Sequence, residues 1–286
     1  MRALLIGSQG QLGSDLRRIW NGDLIAFSHD DLDVCDREQT LAVVARERPE
    51  LVINTAAYHR VDDCETNGAR AFEVNALGAK NAADAAREAG AAVMFISTDY
   101  VFDGEKGSPY VESDLPRPLS VYGASKVAGE HLVRQSNAQH YVVRSSSLFG
   151  VAGASGKGGN FVDTMINKAK AGDPLRVVND QVSSPTQTRD LAEKLQELAA
   201  SGRFGLYHVT NSGQTSWHDF AAKIFELCGL EPSLTAISSE ELAAPARRPA
   251  FSVMENRALR EAGLAPLRAW QDALEAYLAE KGHLGD

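Results

Sequence analysis

Cysteine is scarce in this 286-residue chain: there are three, Cys35, Cys64 and Cys228, an odd number without metal-type spacing. That argues against a disulfide framework and against a cysteine-held metal, and it points to reduced thiols in a cytoplasm. No apolar run approaches the ~20 residues that a membrane-spanning helix requires. Nor does a basic stretch followed by an apolar one and a small-residue cleavage site open the chain, so export is not expected. Positive charge is in deficit too, with 29 Lys and Arg against 38 Asp and Glu and a formal net charge of -9. A field of that sign repels nucleic acid and anionic membranes, and neither is expected as a partner. A small anionic ligand remains compatible, because it needs only a few local amides and cations. Internal repeats and low-complexity tracts are also missing.

What is present is an ordinary globular composition, 44% hydrophobic and 23% charged, in a chain long enough for one large core or two modest lobes. Short apolar runs at residues 3–6, 24–27, 51–53, 92–96 and 141–143 alternate with longer helical patterns. One of these carries Leu12, Leu16, Ile19 and Trp20 on a single face, and another is a long alanine-rich stretch ending near Gly90. Such alternation predicts an α/β fold, a Rossmann-like doubly wound parallel sheet with helices on both faces. After Gly150 the pattern loosens into helices over 160–171, 189–200, 216–228 and 268–281, short strands at 176–178 and 206–209, and a loop over 238–249. Residues 1–150 are expected to form the dinucleotide-binding domain, with later returns near 176–211, notably the strand around Tyr207. Residues 151–286 then make mainly a smaller, discontinuous substrate lobe.

Gly7, Gly10 and Gly13 follow the first strand and open the first helix. Glycine there permits a sharp turn and brings backbone amides close to a pyrophosphate, to which the helix N-terminus adds its unpaired N–H groups. Strand before and helix after favour dinucleotide binding over a plain turn. The second strand ends Ala26-Phe27-Ser28-His29, with no acid where a ribose diol is often held. Arg17 and Arg18 are candidates for a 2′-phosphate or a solvated helix face, so NAD and NADP both stay open. Asp33 and Val34 could meet the adenine, with a helix cap as the plainer role for Asp33. Ala56 and Ala57 put small side chains where a flat ring could lie.

Thr98 closes the fourth strand, at the carboxyl edge where open α/β sheets bind ligands. Tyr122 and Lys126, four apart, share one helix face, with Ser120 as a candidate cap. Reducing a ketone takes a hydride on carbon and a proton on oxygen. A phenol with a pKa near ~10 can exchange that proton if a nearby ammonium favours its phenolate. Tyr122, Lys126 and Thr98 are therefore the candidate catalytic residues.

These motifs resemble the extended short-chain dehydrogenase/reductases and, within them, the dTDP-4-dehydrorhamnose reductase family. The likeness spans nearly the whole chain. It includes Ser97-Thr98-Asp99-Tyr100-Val101-Phe102-Asp103-Gly104, Gly159-Asn160-Phe161-Val162, Asn179-Asp180-Gln181, Ser184-Pro185-Thr186, Ser216-Trp217 and Arg248-Pro249. The resemblance implies NAD(P)H-dependent reduction of the C4 ketone of a dTDP-deoxysugar, with Tyr122 as proton donor, Lys126 as its partner and Thr98 tuning the transfer. It implies that Gly10, Gln11 and Leu12 form the pyrophosphate loop, that Asp33 and Val34 touch the adenine, and that Ala56, Ala57 and Tyr58 wall the ribose and nicotinamide. Thr98 and Asp99 would touch the sugar, and Asn160 and Arg248 the nucleotide diphosphate. The reductases typically read Arg-Thr-Ser-Trp where this chain has Arg144-Ser145-Ser146-Ser147, which removes an apolar wall. Some members share a magnesium ion across a homodimer. Asp15 could correspond to one ligand, but no metal is expected.

Related alternatives are a 4-epimerase, a 4,6-dehydratase (disfavoured because Tyr100, not an acid, follows Asp99) and a non-catalytic subunit like the methionine adenosyltransferase β subunit. Elsewhere the plainer roles lead. The 153–158 glycine-rich stretch lacks the Ser or Thr of a phosphate loop and reads as a loop by the sugar site. Asp62, Asp63 and Glu65 read as solvated acids at a helix start, and His208 and His218 as packing or surface groups.

Overall fold

The computed structural model describes residues 1–153 and 159–285. The first half alternates strand and helix: β1 (Arg2–Ile6), α1 (Gln11–Ile19), β2 (Asp23–Phe27), α2 (Arg37–Glu47) and β3 (Leu51–Asn54). After α3 (Val61–Thr66), α4 (Gly68–Phe72) and a π-helical turn (Glu73–Gly78) come α5 (Ala79–Glu88), β4 (Ala92–Thr98) and α6 (Val121–Ser136). The second half runs β5 (His140–Ser145), β6 (Leu148–Phe149), α7 (Phe161–Ala171), β7 (Leu175–Val178), β8 (Val182–Ser183), β9 (Thr186–Gln187) and α8 (Thr188–Ser201). It closes with β10 (Gly205–His208), β11 (Thr215–Ser216), α9 (Trp217–Cys228), β12 (Leu234–Ile237), α10 (Ser239–Leu242), α11 (Arg257–Glu261) and α12 (Trp270–Lys281).

Six strands form one parallel sheet in the order β10-β5-β4-β3-β1-β2. Its strands are apolar on both faces because both are covered. Ala3, Leu5, Ile53, Met94 and Val143 pack under α1 and α8 with Leu12, Leu16, Leu191 and Leu195. Leu4, Ile6, Val52, Val93 and Phe95 pack under α2, α5 and α6 with Val44, Ala82, Ala83 and Val133. Each fully buried Leu, Ile or Phe side chain adds about 1.5–3 kcal/mol, so the sheet faces carry most of the stabilisation. A separate core joins α7, α9 and α12 through Ile166, Phe220, Ile224, Leu274 and Tyr277.

Several expectations need correction. Of the returns sought over 176–211, β10 joins the central sheet beside β5, whereas β7 pairs with β12 in a two-stranded sheet outside it. The alanine-rich stretch is not one helix but four segments, interrupted at Asn67 and again by the π-helical turn. The loop expected over 238–249 contains α10, started by a capping box in which Ser238 and Glu241 satisfy each other's backbone N–H groups. The sequence carried that Ser-x-x-Glu signal. No helix among the described residues is long and apolar enough to cross a membrane.

Candidate active site

The glycine loop is shaped by backbone contacts. Gly7 has φ +87°, and a Cβ there would lie 2.7 Å from Thr55 Oγ1 and 2.9 Å from Ala56 N. A Cβ on Gly13 would lie 2.3 Å from the Gly7 carbonyl oxygen, so α1 can rest on the loop only without a side chain at that position. Gly10 differs, with only Gly7 O at 3.5 Å, which leaves its outer side open. Gly10 also precedes α1 without a side-chain cap, so the first N–H groups of that helix stay available to an anion. Two buried polar atoms beside this crevice have no hydrogen-bond partner, Gln11 Oε1 and Asn54 Nδ2. Orphaned groups of this kind, with the open loop, fit a dinucleotide between the ends of β1 and β3. Leu12 is buried in the sheet core, so only its backbone is available to a ligand there.

Farther along the sheet edge, Asp33 Oδ1 accepts from Cys35 N at 2.9 Å. Asp33 is not the cap of α2; Asp36 is, accepting from Gln39 N. Val34 is buried, and its side chain is so close to Gly78 that a Cβ there would lie 2.7 Å from it. Ala56 N donates to Asn54 Oδ1, and Tyr58 N donates to Asn75 Oδ1 at 2.8 Å. Asn75 sits in the π-helical turn and also donates to Tyr58 O and Ser125 Oγ, tying the wall at Ala57 and Tyr58 to α6. No sequence signal singled out Asn75; a π-helical turn at a functional edge is a recurrent device. Arg18 turns away from the cofactor side to pair with Glu280 and Asp15, so it is no candidate for a 2′-phosphate.

Thr98 ends β4, and Ser120 caps α6 by accepting from Gly123 N at 3.2 Å. The cap sets the first turn of α6 over the sheet edge, where the Tyr122 phenol lies close enough to Thr98 to be influenced by it. Burial pushes the Tyr122 phenol above its ordinary value, and Thr98 pulls the other way. The Tyr100 ring meets that of Tyr122 edge to face at 5.9 Å. Lys126 is buried, donates to Ile96 O at 2.6 Å and lies 4.1 Å from the Phe95 ring centre. Burial brings its pKa down to about 7, against the pull of Glu130. Glu130 is held in turn by both arms of Arg144, at 2.8 and 2.6 Å, and by Ser97 Oγ at 2.6 Å.

The chain matches the model described as RmlD substrate binding domain over residues 1–282. The chain belongs to this family. It is 38% identical to the spore coat polysaccharide biosynthesis protein SpsK of Bacillus subtilis, covering 100% of this chain and 99% of that one. It is also 38% identical to a dTDP-4-dehydrorhamnose reductase of Streptomyces griseus, over 99% and 95% of the two chains. A crystal structure of the Bacillus anthracis dTDP-4-dehydrorhamnose reductase in complex with NADP superposes with TM-score 0.94 at 38% identity, covering 98% of this chain and 99% of that one.

Beside this frame lies a cleft of ≈530 Å³ between the sheet edge and the second lobe. Arg60, Arg176 and Arg248 line its wall, the first and last paired with Asp63 and Asp62 of the same wall, and Phe161 and Trp217 bring aromatic rings 4.6 Å apart. Arg248 donates to Asp62 Oδ2 and to Ala246 O, both at 2.9 Å, and its charge lies near Tyr100. Asp62 also accepts from Ala246 N, so it anchors the 246–248 segment and is more than a solvated acid at the start of α3.

Two expected substrate contacts, Asp99 for the sugar and Asn160 for the diphosphate, have their polar atoms engaged within the protein. Asp99 is wholly buried behind Thr98; Ser252 and Ser146 donate to Oδ2 at 2.6 and 2.9 Å, and Thr98 to Oδ1 at 3.1 Å. Burial raises its carboxyl pKa against those three bonds. Asn160 caps α7 by accepting from Asp163 N, and its amide protons go to Gly150 O and Tyr277 OH. Its polar atoms are all engaged, and its neighbour Phe161 lines the cleft instead.

Ser147, where the reductases typically carry tryptophan, has a left-handed φ of 47° and shares a 2.8 Å hydrogen bond with Ser183. The loop expected beside the sugar site falls largely on residues 154–158, outside the described residues. His208 is a buried packing group, driven down to about 3 by burial and by Arg144. Around Asp15 the residues do not fit magnesium: Thr188 Oγ1 donates to it at 2.5 Å, and the guanidinium groups of Arg18 and Arg189 lie beside Glu280. Among the described residues no cluster of three or more His, Cys, Asp or Glu could hold a metal ion.

Proposed function

We propose that the chain is a dTDP-4-dehydrorhamnose reductase, reducing the C4 ketone of dTDP-4-dehydro-L-rhamnose to dTDP-L-rhamnose with NADH or NADPH. The observation that carries the reading is the placement of Tyr122 beside Thr98, at the carboxyl end of β4 and along the same sheet edge as the open glycine loop. Family membership and the NADP held by the Bacillus anthracis relative support it.

In this reading residues 1–150, with β10 and α8, form the dinucleotide half, and the rest is mainly the substrate lobe. Gly7, Gly10, Gln11, Leu12 and Gly13 hold the pyrophosphate, Asp33 and Val34 meet the adenine, and Ala56, Ala57 and Tyr58 wall the nicotinamide ribose. The bound nicotinamide supplies the hydride that adds to C4. Tyr122 gives its hydroxyl proton to the C4 oxygen as that oxygen gains charge. Thr98, beside Tyr122, polarises the same oxygen and limits the charge left on the phenol. Lys126, with a pKa near neutrality once buried, grips the ribose and can return a proton to Tyr122. Arg248 and the other cleft arginines face the diphosphate, with Phe161 and Trp217 as the apolar surface beside it. The scarcity of cysteine agrees with a cytoplasmic enzyme.

The test is turnover. Incubated with reduced nicotinamide cofactor and enzymatically generated dTDP-4-dehydro-L-rhamnose, the protein should consume the nicotinamide absorbance and form dTDP-rhamnose. Cofactor binding without turnover would assign the chain a binding role instead.

A further inference from the structure

Selection between the two nicotinamide cofactors is decided where the adenosine ribose meets the chain, at the end of the second strand of a βαβ unit. Here the Phe27 carbonyl accepts from Gly7 N at 3.1 Å and Ser8 N at 3.0 Å, which lays the segment from Ser28 onward directly against the glycine loop. Ser28 is buried and Asp31 exposed, and the two form a closed clasp. Asp31 Oδ2 accepts from Ser28 Oγ at 2.6 Å and from Ser28 N at 3.0 Å, and Asp31 N donates back to Ser28 Oγ at 3.3 Å. Those bonds hold the Asp31 carboxyl below its ordinary pKa, so it is charged at neutral pH.

None of the nearby arginines is paired with Asp31. Arg70 lies 2.8 Å from Glu73 and 3.9 Å from Asp33. Arg37 lies 3.9 Å from both Asp84 and Glu88, and Arg18 pairs with Glu280. Arg17 sits about 9 Å down the axis of α1 from its first residue, away from the loop. His29 lies close enough to Asp33 to favour that carboxylate's charge.

We propose that this edge selects NADH over NADPH, with Asp31, aimed by Ser28, as the specificity-determining residue. Its carboxylate accepts from the ribose diol and opposes the ~1.5 to 2 negative charges of a 2′-phosphate, a group like phosphoserine in charge. The inference rests on the glycine loop being the cofactor site.

Fluorescence titration of the full chain with NADH and with NADPH, without sugar, tests it. NADH should bind about tenfold tighter or more, and the ratio should shrink with added salt as the repulsion is screened. Asp31→Asn, at an exposed position, should narrow the ratio by tightening NADPH. Equal or tighter binding of NADPH would overturn the preference alone, and so would a ratio that Asp31→Asn leaves unmoved. Binding of neither dinucleotide would overturn the preference and the cofactor site beneath it.

Discussion

The glycine loop and the cleft across from it are held in opposite ways. In the loop, backbone meets backbone, and at Gly7 and Gly13 there is no room for one more carbon. In the cleft and in the residues packed behind it, side chains hold side chains: Asp62 holds Arg248, Ser183 holds Ser147, and Ser146 with Ser252 holds Asp99. A site made from backbone announces itself as glycine spacing, because only glycine allows the approach. A site made from paired side chains leaves no such mark, since serine and aspartate are common everywhere.

The largest effect is expected where the two regions meet. Tyr122→Phe should lower kcat by about 10²–10⁴-fold while leaving cofactor affinity nearly intact. Dinucleotide titration and single-turnover rates measure the two separately, and retained turnover would remove Tyr122 from its role. Next comes a contrast within the loop. Gly13→Ala forces a Cβ to 2.3 Å from Gly7 O and should destabilise the fold by about 1–3 kcal/mol, seen as a drop in Tm. Gly10→Ala meets only Gly7 O at 3.5 Å and should keep its Tm while losing cofactor affinity. Equal Tm losses in both variants would break the distinction between a packed glycine and a ligand-facing one. The smallest effect belongs to the side-chain cleft: Arg248→Ala should raise the KM for the nucleotide sugar about tenfold and leave dinucleotide affinity unchanged. An unchanged KM would mean that Arg248 serves only to pin Asp62 and Tyr100.

Legibility followed the same divide. Apolar runs and helical faces located every strand of the central sheet, and the spacing of Tyr122 and Lys126 placed both on α6. The capping box at Ser238 was readable but lay among prolines that suggested a loop. Asn160 and Asp99 could be recognised as residues of the site region, yet not as groups whose polar atoms are spent on Tyr277, Gly150, Ser146 and Ser252. Arg18 stood on a helix face that leaves its partner open, and Glu280, 262 residues away, supplied it.

The doubly wound sheet, the glycine turn and the common face of Tyr122 and Lys126 were determined by the chain alone. Each depends on spacing within a few residues, which the backbone converts directly into geometry. Tertiary structure decided which polar atoms remain free for ligands, as when Thr188 reaches Asp15 across 173 residues and Ser252 reaches Asp99 across 153. Buried hydrogen-bonding groups compete for partners throughout the fold, and the outcome exists only once distant segments have packed.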